Sequence, residues 1–222
     1  MHIGLIGGIG PAATDFYYRG LIDRHRAAGT ALEVTICHAD VGEMGRNLRA
    51  GQAAKQAEIF ARLVGRMKAA GAEAAAITSM GGHFCVRELE AISPLPILNG
   101  LPAVGAALQA AGLKTIGVLG TSMVMGSKLY GAVPSAELIA PDGAMFDRVA
   151  DNYSAMANAG RVTDAQRAVF VEAGRALMAR GAQAVMLGGT DLFLAFAGRE
   201  PEFPLVDCAD IHVDALFRRS SS

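Results

Sequence analysis

The chain has 222 residues, of which 52% are hydrophobic but only 6% aromatic, and it contains no Trp. This largely aliphatic composition is typical of parallel strands that are buried on both faces under helices. The formal net charge of −1 argues against nucleic acid or an anionic membrane as a partner.

No apolar run approaches the roughly 18 residues that a membrane-spanning helix needs. The N-terminal run Met1–Ile6 has neither the basic start nor the length of a signal peptide. The three cysteines, Cys37, Cys85 and Cys208, are too widely spaced for a disulfide framework or a zinc knuckle. We therefore expect a cytoplasmic protein. A metal site is not expected either, because no group of His, Cys and carboxylate residues has ligand spacing.

In the first half of the chain, short apolar runs alternate with helical stretches. Strands are predicted at Ile3–Ile6, Leu32–Cys37, Ala74–Thr78 and Pro96–Leu98, and helices at Pro11–Ala28, Gln52–Ala70 and His83–Ile92. The segment that carries Arg46 and Arg49 is predicted to be a polar loop. This alternation of strands and helices favours a mostly parallel sheet.

The second half repeats this order of elements. Strands are predicted at Thr115–Leu119, Ala184–Leu187 and Pro204–Val206, and helices at Leu101–Ala111, 123–130, Asp164–Ala179 and Ala209–Arg218. Gly71–Ser79 resembles Gly181–Gly189, and Ile3–Gly7 resembles Ile116–Gly120 at nearly the same offset. Strand–glycine–helix units resemble one another by default, but two matches in the same order indicate an internal duplication.

A duplicated α/β unit predicts two similar lobes, each a mostly parallel sheet flanked by helices, related by a pseudo-twofold axis with a cleft between them. The first lobe is predicted to comprise residues 1–100 and 207–222, and the second residues 101–206. Ligands of open α/β sheets bind beyond the carboxyl ends of the strands. Glycine-rich segments follow four predicted strands at this edge, namely 7–8, 79–82, 120–122 and 188–190.

These four segments are rich in N–H and hydroxyl donors. Each leads into a predicted helix start, where free N–H groups and the helix dipole favour an anion. A single segment of this kind is explained by the need for a tight turn. Four of them at equivalent places predict a site for a small molecule that carries carboxylates.

Several motifs resemble those of the aspartate/glutamate racemases, in the Asp/Glu/hydantoin racemase superfamily. Residues 4–14, GLIGGIGPAAT, resemble the opening GGMGP-x-AT signature of that family. Residues 116–121 resemble its second-lobe opening, and residues 187–192 stand where the family has an LGCTE-like motif. Val206-Asp207 followed by Ile211-His212 fits its closing pattern. The resemblance covers nearly the whole chain and implies the two-lobed α/β fold described above.

In that family, two cysteines face each other across the cleft and carry the α-proton of the amino acid without a pyridoxal cofactor. The resemblance places Ser79, or Thr78 with a one-residue gap, at the first cysteine position and Gly189 at the second. It places His83 at the histidine of the first motif. Serine needs a neighbouring base to accept a proton, and glycine has no side chain, although it leaves room for a substrate group. Ordinary two-cysteine racemisation is therefore not expected here.

The remaining candidates for substrate binding either follow predicted strands or match polar and basic positions of the family. They are Gly8, Arg46, Arg49, Thr78, Gly81, Gly82, Thr121, Ser122, Lys128 and Thr190. The resemblance implies that Arg46 or Arg49 holds a distal carboxylate, for which a planar guanidinium is suited. Asp191 replaces a glutamate of the family and either orients a histidine or caps a helix. Turns, solvated loops and exposed helix positions are the alternative roles for this set.

The expected function is cofactor-independent proton chemistry on a small acidic amino acid or carboxylate, in the isomerase class, with Ser79 and His83 as the foremost acid/base candidates. One alternative is a one-base lyase or decarboxylase that acts on another carboxylate. A second alternative is a catalytically silent protein that only binds a carboxylate. The resemblance also implies a homodimer, because members of the family are commonly dimers.

Overall fold

The computed structural model describes residues 1–199 and 202–221 of the chain. By its internal contacts the chain divides into two compact units. Unit 1 comprises Met1–Gly100 and His212–Ser222, and unit 2 comprises Leu101–Ile211. Each unit contains a parallel sheet with helices, so the predicted α/β class is confirmed. The predicted lobe bounds remain a prediction.

Unit 1 contains a three-stranded parallel sheet in the order β2-β1-β3. The strands are β1 (Ile3–Gly7), β2 (Val34–His38) and β3 (Ala74–Ile77). Ile97 adds an isolated parallel bridge to Ala75, where a fourth strand was predicted. The helices of this part of the chain are α1 (Pro11–Ala28), α2 (Val41–Arg49), α3 (Ala53–Ala69) and α4 (Val86–Ile92). A 3-10 turn, Gly81–Cys85, leads from β3 into α4.

Unit 2 contains a four-stranded parallel sheet in the order β5-β4-β6-β7. The strands are β4 (Thr115–Leu119), β5 (Glu137–Ile139), β6 (Ala184–Leu187) and β7 (Leu205–Asp207). The remaining helices are α5 (Gly100–Ala110), α6 (Ser122–Gly126), α7 (Gly143–Ala159), α8 (Asp164–Ala179), α9 (Phe193–Phe196) and α10 (Cys208–Ser220). Helix α10 begins in unit 2 and ends in unit 1.

Several segments differ from the sequence prediction. The predicted loop with Arg46 and Arg49 is helix α2, which starts at an N-cap where the Asp40 side chain accepts a hydrogen bond from the Glu43 N–H. Strand β5 and helix α7 lie in a region for which no element was predicted. The helix predicted to reach residue 130 ends at Gly126, because the backbone turns left-handed over residues 128–131.

The two units share strand order, register and helix packing. Ile3 pairs with Ala74 in unit 1, and the matching residues Ile116 and Ala184 pair in unit 2. A Cβ added to Gly4 would lie 2.7 Å from the Sδ atom of Met67 on α3, and one added to Gly117 would lie 2.9 Å from the Cβ of Leu177 on α8. In each unit the first strand thus needs a glycine where the equivalent helix, α3 or α8, crosses it. This is expected of a duplicated unit.

Central strands are buried on both faces, and this burial positions the strand ends. Every residue of β1, β3 and β6 is buried, whereas the edge strand β2 is half-exposed. In unit 2 the helices α7 and α8 contribute Val149, Phe170 and Leu177 to one apolar cluster with strand residues. Each such side chain contributes about 1.5–3 kcal/mol by leaving water. The polar side chains at the strand ends are therefore mounted on a rigid framework.

Candidate functional site

Gly8 follows β1 and has a backbone conformation that only glycine tolerates there. Its φ is +86°, and an added Cβ would lie 2.4 Å from Nδ1 of His38 and 2.6 Å from the carbonyl oxygen of Ala39. The Gly8 N–H donates a hydrogen bond of 2.9 Å to Oγ1 of Thr14, which donates in turn to the Gly10 carbonyl. This predicted substrate-binding N–H is therefore already engaged within the turn.

Thr78 and Ser79 lie at the carboxyl end of β3, and both are buried. The Thr78 hydroxyl donates to the carbonyl oxygen of Ile6 at 2.9 Å, which ties β3 to β1. Oγ of Ser79 accepts a hydrogen bond of 3.3 Å from the Gly82 N–H. Gly82 in turn lies against the sheet, since an added Cβ would be 2.8 Å from Cγ2 of Ile77. The polar atoms of this turn thus stabilise the strand end on which the first family cysteine would stand.

Both ring nitrogens of His83 are engaged. Nδ1 lies 2.7 Å from the Ser79 carbonyl oxygen, which can only accept, so Nδ1 carries the proton. Nε2 accepts a hydrogen bond of 3.3 Å from the Gly100 N–H. Burial lowers the pKa of His83 to about 4, although the Ser79 carbonyl opposes the shift. His83 is consequently neutral near pH 7, and the lone pair on its unprotonated Nε2 is used by the Gly100 N–H.

A second buried histidine, His212 on α10, packs against His83. The two ring centroids are 5.8 Å apart. Nε2 of His212 donates to the Leu98 carbonyl oxygen at 2.9 Å, and Nδ1 accepts from the Tyr17 hydroxyl at 2.9 Å. Burial and the neighbouring His83 lower the pKa of His212 to about 3. The cluster Tyr17–His212–His83 joins residues far apart in the chain, and sequence reasoning did not predict it.

Arg46 and Arg49 are exposed on helix α2. Residues three apart on a helix lie on the same face, so the two guanidinium groups form one basic patch. The prediction of a polar loop was wrong, but both arginine side chains have the solvent exposure that carboxylate binding requires.

In unit 2, the segment after β4 holds three of the predicted residues. The Thr121 side chain caps α6, because its Oγ1 accepts a hydrogen bond of 3.1 Å from the Val124 N–H. Ser122 and Lys128 are exposed, and Lys128 has a φ of +51° at the start of the left-handed turn. Gly120 abuts the end of β6, since an added Cβ would lie 2.8 Å from the Gly189 nitrogen. The ends of β4 and β6 are therefore in direct backbone contact.

Gly189, at the second cysteine position of the family, is covered by the ring of Tyr153 on α7. A Cβ added to Gly189 would lie 2.2 Å from Cε2 of Tyr153 and 2.7 Å from its Cζ. The Tyr153 hydroxyl donates to Oδ2 of Asp191 at 3.1 Å, and both residues are buried. Burial, followed by the charge of Asp191, raises the pKa of the Tyr153 phenol well above 10. The sequence prediction missed Tyr153, since no local pattern relates it to Gly189.

Thr190, which follows Gly189, is 1% exposed, and its Oγ1 has no hydrogen-bond partner within residues 1–199 and 202–221. The hydroxyl still lies close enough to the Tyr153 phenol to lower the pKa of that group. Buried hydroxyls without a partner are rare in folded proteins and call for an explanation such as a bound water or ligand. The buried Thr190 hydroxyl therefore faces the Tyr153 phenol beside the end of β6.

Asp207 ends β7, next to the residues that precede Gly189. Its Cα is paired with that of Leu187, and its Oδ1 accepts hydrogen bonds from the N–H groups of Ala209 and Asp210 at 2.8 and 3.3 Å. Burial raises the pKa of Asp207 to about 6, although those two N–H groups oppose the shift. A carboxyl group with this pKa is suited to proton transfer near neutral pH.

Two of the three cysteines, Cys85 and Cys208, are buried and are not suited to replace those at the family positions. Burial, assisted by the charge of Glu88, raises the pKa of Cys85 to about 12. Burial and the neighbouring Asp207 raise the pKa of Cys208 well above 9. Both thiols are therefore protonated near pH 7, and the thiolate is the reactive form of cysteine.

The described residues contain neither a cluster of metal ligands nor a membrane-spanning helix. Within residues 1–199 and 202–221, no three His, Cys, Asp or Glu side chains are grouped so that they could hold a metal ion. In the same part of the chain, every helix is too short or too polar to cross a membrane.

Comparison with known proteins supports the family resemblance over almost the whole chain. The sequence model of the Asp/Glu/Hydantoin racemase family matches residues 6–216. A candidate Asp/Glu racemase from Yersinia pestis is similar, with a TM-score of 0.84, 24% identity and complete coverage of both chains. An aspartate racemase homologue from Pyrococcus horikoshii has a TM-score of 0.79 and 21% identity over 100% of this chain and 99% of its own.

A glutamate racemase from Francisella tularensis, solved in complex with D-glutamate, is also similar. Its TM-score is 0.66 at 15% identity, over 98% of this chain and 80% of the racemase. At these identities the structural likeness establishes the fold, and the substrate has to be argued from the residues of this chain.

Proposed function

Because the chain belongs to the Asp/Glu/hydantoin racemase family, we propose that it binds a small acidic amino acid or a related carboxylate and performs proton chemistry on it without a cofactor. The family match over residues 6–216 carries this proposal. It is supported by the polar side chains at the strand ends of both units, including Thr78, Ser79, Thr121 and Thr190. As an enzyme, the protein would be an isomerase-like racemase homologue.

The proposed ligand contacts divide by chemistry. The exposed guanidinium groups of Arg46 and Arg49 would hold the distal carboxylate. The hydroxyls of Thr121, Ser122 and Thr190, with Lys128 nearby in sequence, would bind the α-carboxylate or the enolate-like charge that develops when the α-proton leaves. The turn at Gly8 and the turn at Gly81 and Gly82 would shape the surface of unit 1 at the ends of β1 and β3.

The proton carriers must differ from those of a two-cysteine racemase. Ser79 is buried and accepts a hydrogen bond from Gly82, and His83 is neutral with both nitrogens engaged. Position 189 has no side chain. Asp207, with a pKa of about 6, is an additional candidate base. If the proton carriers differ in basicity, proton exchange would proceed from one face of the substrate. A one-base lyase or decarboxylase is compatible with the same residues.

Binding without catalysis is the second candidate function. It is favoured by His83, because the Gly100 N–H would have to leave Nε2 before that atom could accept a substrate proton. We further propose a homodimer, from the family resemblance alone, and a cytoplasmic location, from the wide spacing of the three cysteines.

Incubation with L- and D-aspartate and L- and D-glutamate in D₂O, followed by NMR of the α-proton, tests the proposal. We expect exchange of one enantiomer without inversion, and loss of exchange in an Asp207→Asn or a His83→Asn variant identifies the base. Inversion would show that a second base operates and would contradict one-sided chemistry. Binding without exchange would support the silent protein, and the absence of both would reject acidic amino acids as ligands.

A further inference from the structure

An open groove of about 410 Å³ runs along helix α8, entirely within unit 2. Residues three or four apart on a helix share one face, and the helical residues of the groove have this spacing. Among the residues that the structure describes, the groove is lined by Asp164, Arg167, Ala168, Val171 and Arg175 of α8 and by Arg199. The proposed function uses none of these side chains, so the groove is a separate feature of the molecule.

A smaller chamber of about 100 Å³ adjoins the groove, because Arg167, Val171 and Arg199 line both cavities. The rest of its described wall consists of Ala195, Phe196, Glu202 and Phe203. The two phenyl rings pack edge to face with their centroids 6.2 Å apart, and Phe203 is buried. An apolar cavity of about 150 Å³ can hold benzene, so a chamber of this order accommodates a single ring or a branched alkyl group.

The charges around the two cavities do not balance. Nε and Nη2 of Arg175 donate to the Glu202 carboxylate at 2.6 and 2.7 Å, and this pair is therefore neutral. Oδ1 of Asp164 lies 3.5 Å from Nη2 of Arg199 and 4.0 Å from Nε of Arg167. The Asp164 side chain is 93% exposed, so water weakens both attractions. Two guanidinium groups thus share one solvated carboxylate, and one positive charge is left over among the described lining residues.

Arg167 is the cation with the least compensation. Its side chain is only 16% exposed, and its Nη1 donates to the carbonyl oxygen of Ala195. Its Nε has no hydrogen-bond partner within residues 1–199 and 202–221. A desolvated cation is costly unless an opposite charge lies close to it. An oxyanion in the groove would supply that charge, and the planar guanidinium group suits carboxylates and phosphates.

We propose that the groove and the chamber form one binding site for a small amphipathic acid. Its carboxylate or phosphate lies between Arg167 and Arg199, and its apolar group enters the chamber beside Val171 and Phe196. A dicarboxylate is disfavoured here, because its second charge would have to enter an apolar space next to Glu202. The site is independent of the proposed function and selects a different class of ligand.

NMR titration of the amide signals tests this assignment with four compounds: phenylacetate, phenyl phosphate, 2-phenylethanol and inorganic phosphate. We expect at least one of the two aromatic acids to shift signals of α8 and α9 with a dissociation constant on the order of 1 mM or lower, as expected for a ligand of this size. The neutral alcohol lacks the charge, and inorganic phosphate lacks the ring, so both should bind at least about 10-fold more weakly. The tighter of the two acids identifies the preferred oxyanion.

Three variants separate the two parts of the site. Arg199→Gln should weaken binding of the acid about 5- to 10-fold, as expected when one charged donor is lost. Arg148→Gln removes an equally exposed class of ion pair, that with Glu172 of α8, and should leave the affinity unchanged. Val171→Phe fills the chamber and should abolish the preference for phenyl phosphate over inorganic phosphate. The melting temperature of each variant shows that the fold is retained.

Several results would overturn the assignment. They are equal affinity for phenylacetate and 2-phenylethanol, unchanged binding in Arg199→Gln, and the absence of shifts in α8 and α9 with either acid. Shifts confined to the strand-end residues of the proposed function would place the acid there and would also reject this site. None of these results bears on the binding of acidic amino acids, which is tested separately.

Discussion

At the scale of single residues, the two buried histidines of unit 1 are stabilised in their neutral form by complementary partners. His83 donates from Nδ1 to the Ser79 carbonyl, and His212 donates from Nε2 to the Leu98 carbonyl. Their remaining nitrogens accept from the Gly100 N–H and the Tyr17 hydroxyl. Protonation of His83 would place a donor against the Gly100 N–H, and protonation of His212 would require the Tyr17 hydroxyl to turn and accept; a charge on either buried ring is also costly in itself.

Acid should therefore destabilise unit 1 through these histidines. The folded pKa values of about 4 and about 3 lie below the ordinary value of 6.5, so the unfolded chain binds protons first as the pH falls. Their contribution to stability is complete above about pH 6.5 and is lost by about 1.4 kcal/mol per pH unit and histidine as the pH falls toward 4.

Urea unfolding of the wild type and of His83→Asn between pH 4 and 8 measures this loss. Asparagine preserves a donor toward Ser79 but does not titrate, so the variant should lose stability less steeply by about 1.4 kcal/mol per pH unit. His38→Asn, at an exposed histidine, should keep the slope of the wild type. Equal slopes in all three proteins would show that His83 is not buried in its neutral form.

The carboxyl group of Asp207 should act on stability with the opposite sign. Its folded pKa of about 6 exceeds the ordinary 3.8, so the folded chain holds the proton more tightly and loses stability as the pH rises from about 4 to 6. Asp207→Asn retains an oxygen that can cap α10 and removes this charge. We expect it to stabilise the protein at pH 7–8 by roughly 1–3 kcal/mol and to have no effect below pH 4.

Chemical unfolding at pH 3.5 and pH 7.5 checks this expectation against Asp151→Asn, a change at an exposed aspartate. A gain at pH 7.5 that persists unchanged at pH 3.5 would assign the effect to something other than the charge of Asp207.

At the scale of elements, helix α2 forms at its capped N-terminus although the glycines in its sequence disfavour a helix. Gly42 and Gly45 lower its intrinsic helix propensity, and the segment resembles a polar loop for that reason. The Asp40 side chain accepts a hydrogen bond of 2.6 Å from the Glu43 N–H, and buried Met44 and Asn47 secure the inner face. The exposed outer face then presents both arginines of the basic patch.

Loss of the cap should weaken this helix in particular. Asp40→Ala is expected to cost about 1 kcal/mol, because it leaves an N–H at the helix start without a partner. Asp40→Asn preserves the acceptor and should be nearly neutral. Hydrogen exchange of the α2 amides, compared with those of α3, localises the effect, and an equal change in both helices would contradict a role confined to the α2 cap.

At the scale of the whole molecule, the repeat is visible in equivalent packing contacts. Gly4 and Gly117 each lie where a helix crosses the first strand of a unit, but the atoms they face differ. The Sδ atom of Met67 belongs to a flexible side chain, whereas the Cβ of Leu177 is fixed to the backbone of α8. Equivalent substitutions should therefore have unequal effects.

Gly117→Ala should destabilise the protein by about 1–3 kcal/mol, and Gly4→Ala by less, since methionine can adopt another rotamer. Gly65→Ala, at a helical glycine with open space around its Cα, should stabilise by up to about 1 kcal/mol. Thermal unfolding of the three variants decides the order. A greater cost at Gly4 than at Gly117 would contradict this reading of the two contacts.

The sequence by itself determined the order of elements, the family and the strand ends on which polar side chains stand. These features follow from local rules, since buried parallel strands must be apolar and strand-to-helix turns must be small. Helices α1 and α8 have the predicted bounds, and local signals mark their starts, namely Pro11 in the first turn of α1 and the Thr163 cap of α8. Sequence reasoning failed at α2, β5 and α7, where glycine content, a short strand and weak periodicity hid the elements.

Only the tertiary structure decided how the strand-end residues are used. The Tyr17–His212 hydrogen bond joins residues separated by 195 positions, and the Tyr153–Asp191 bond spans 38. Such partners depend on how helices pack against a sheet, which no local pattern encodes. The structure thereby shows that both ring nitrogens of His83 are engaged, and that the ring of Tyr153 on helix α7 fills the space beside Gly189.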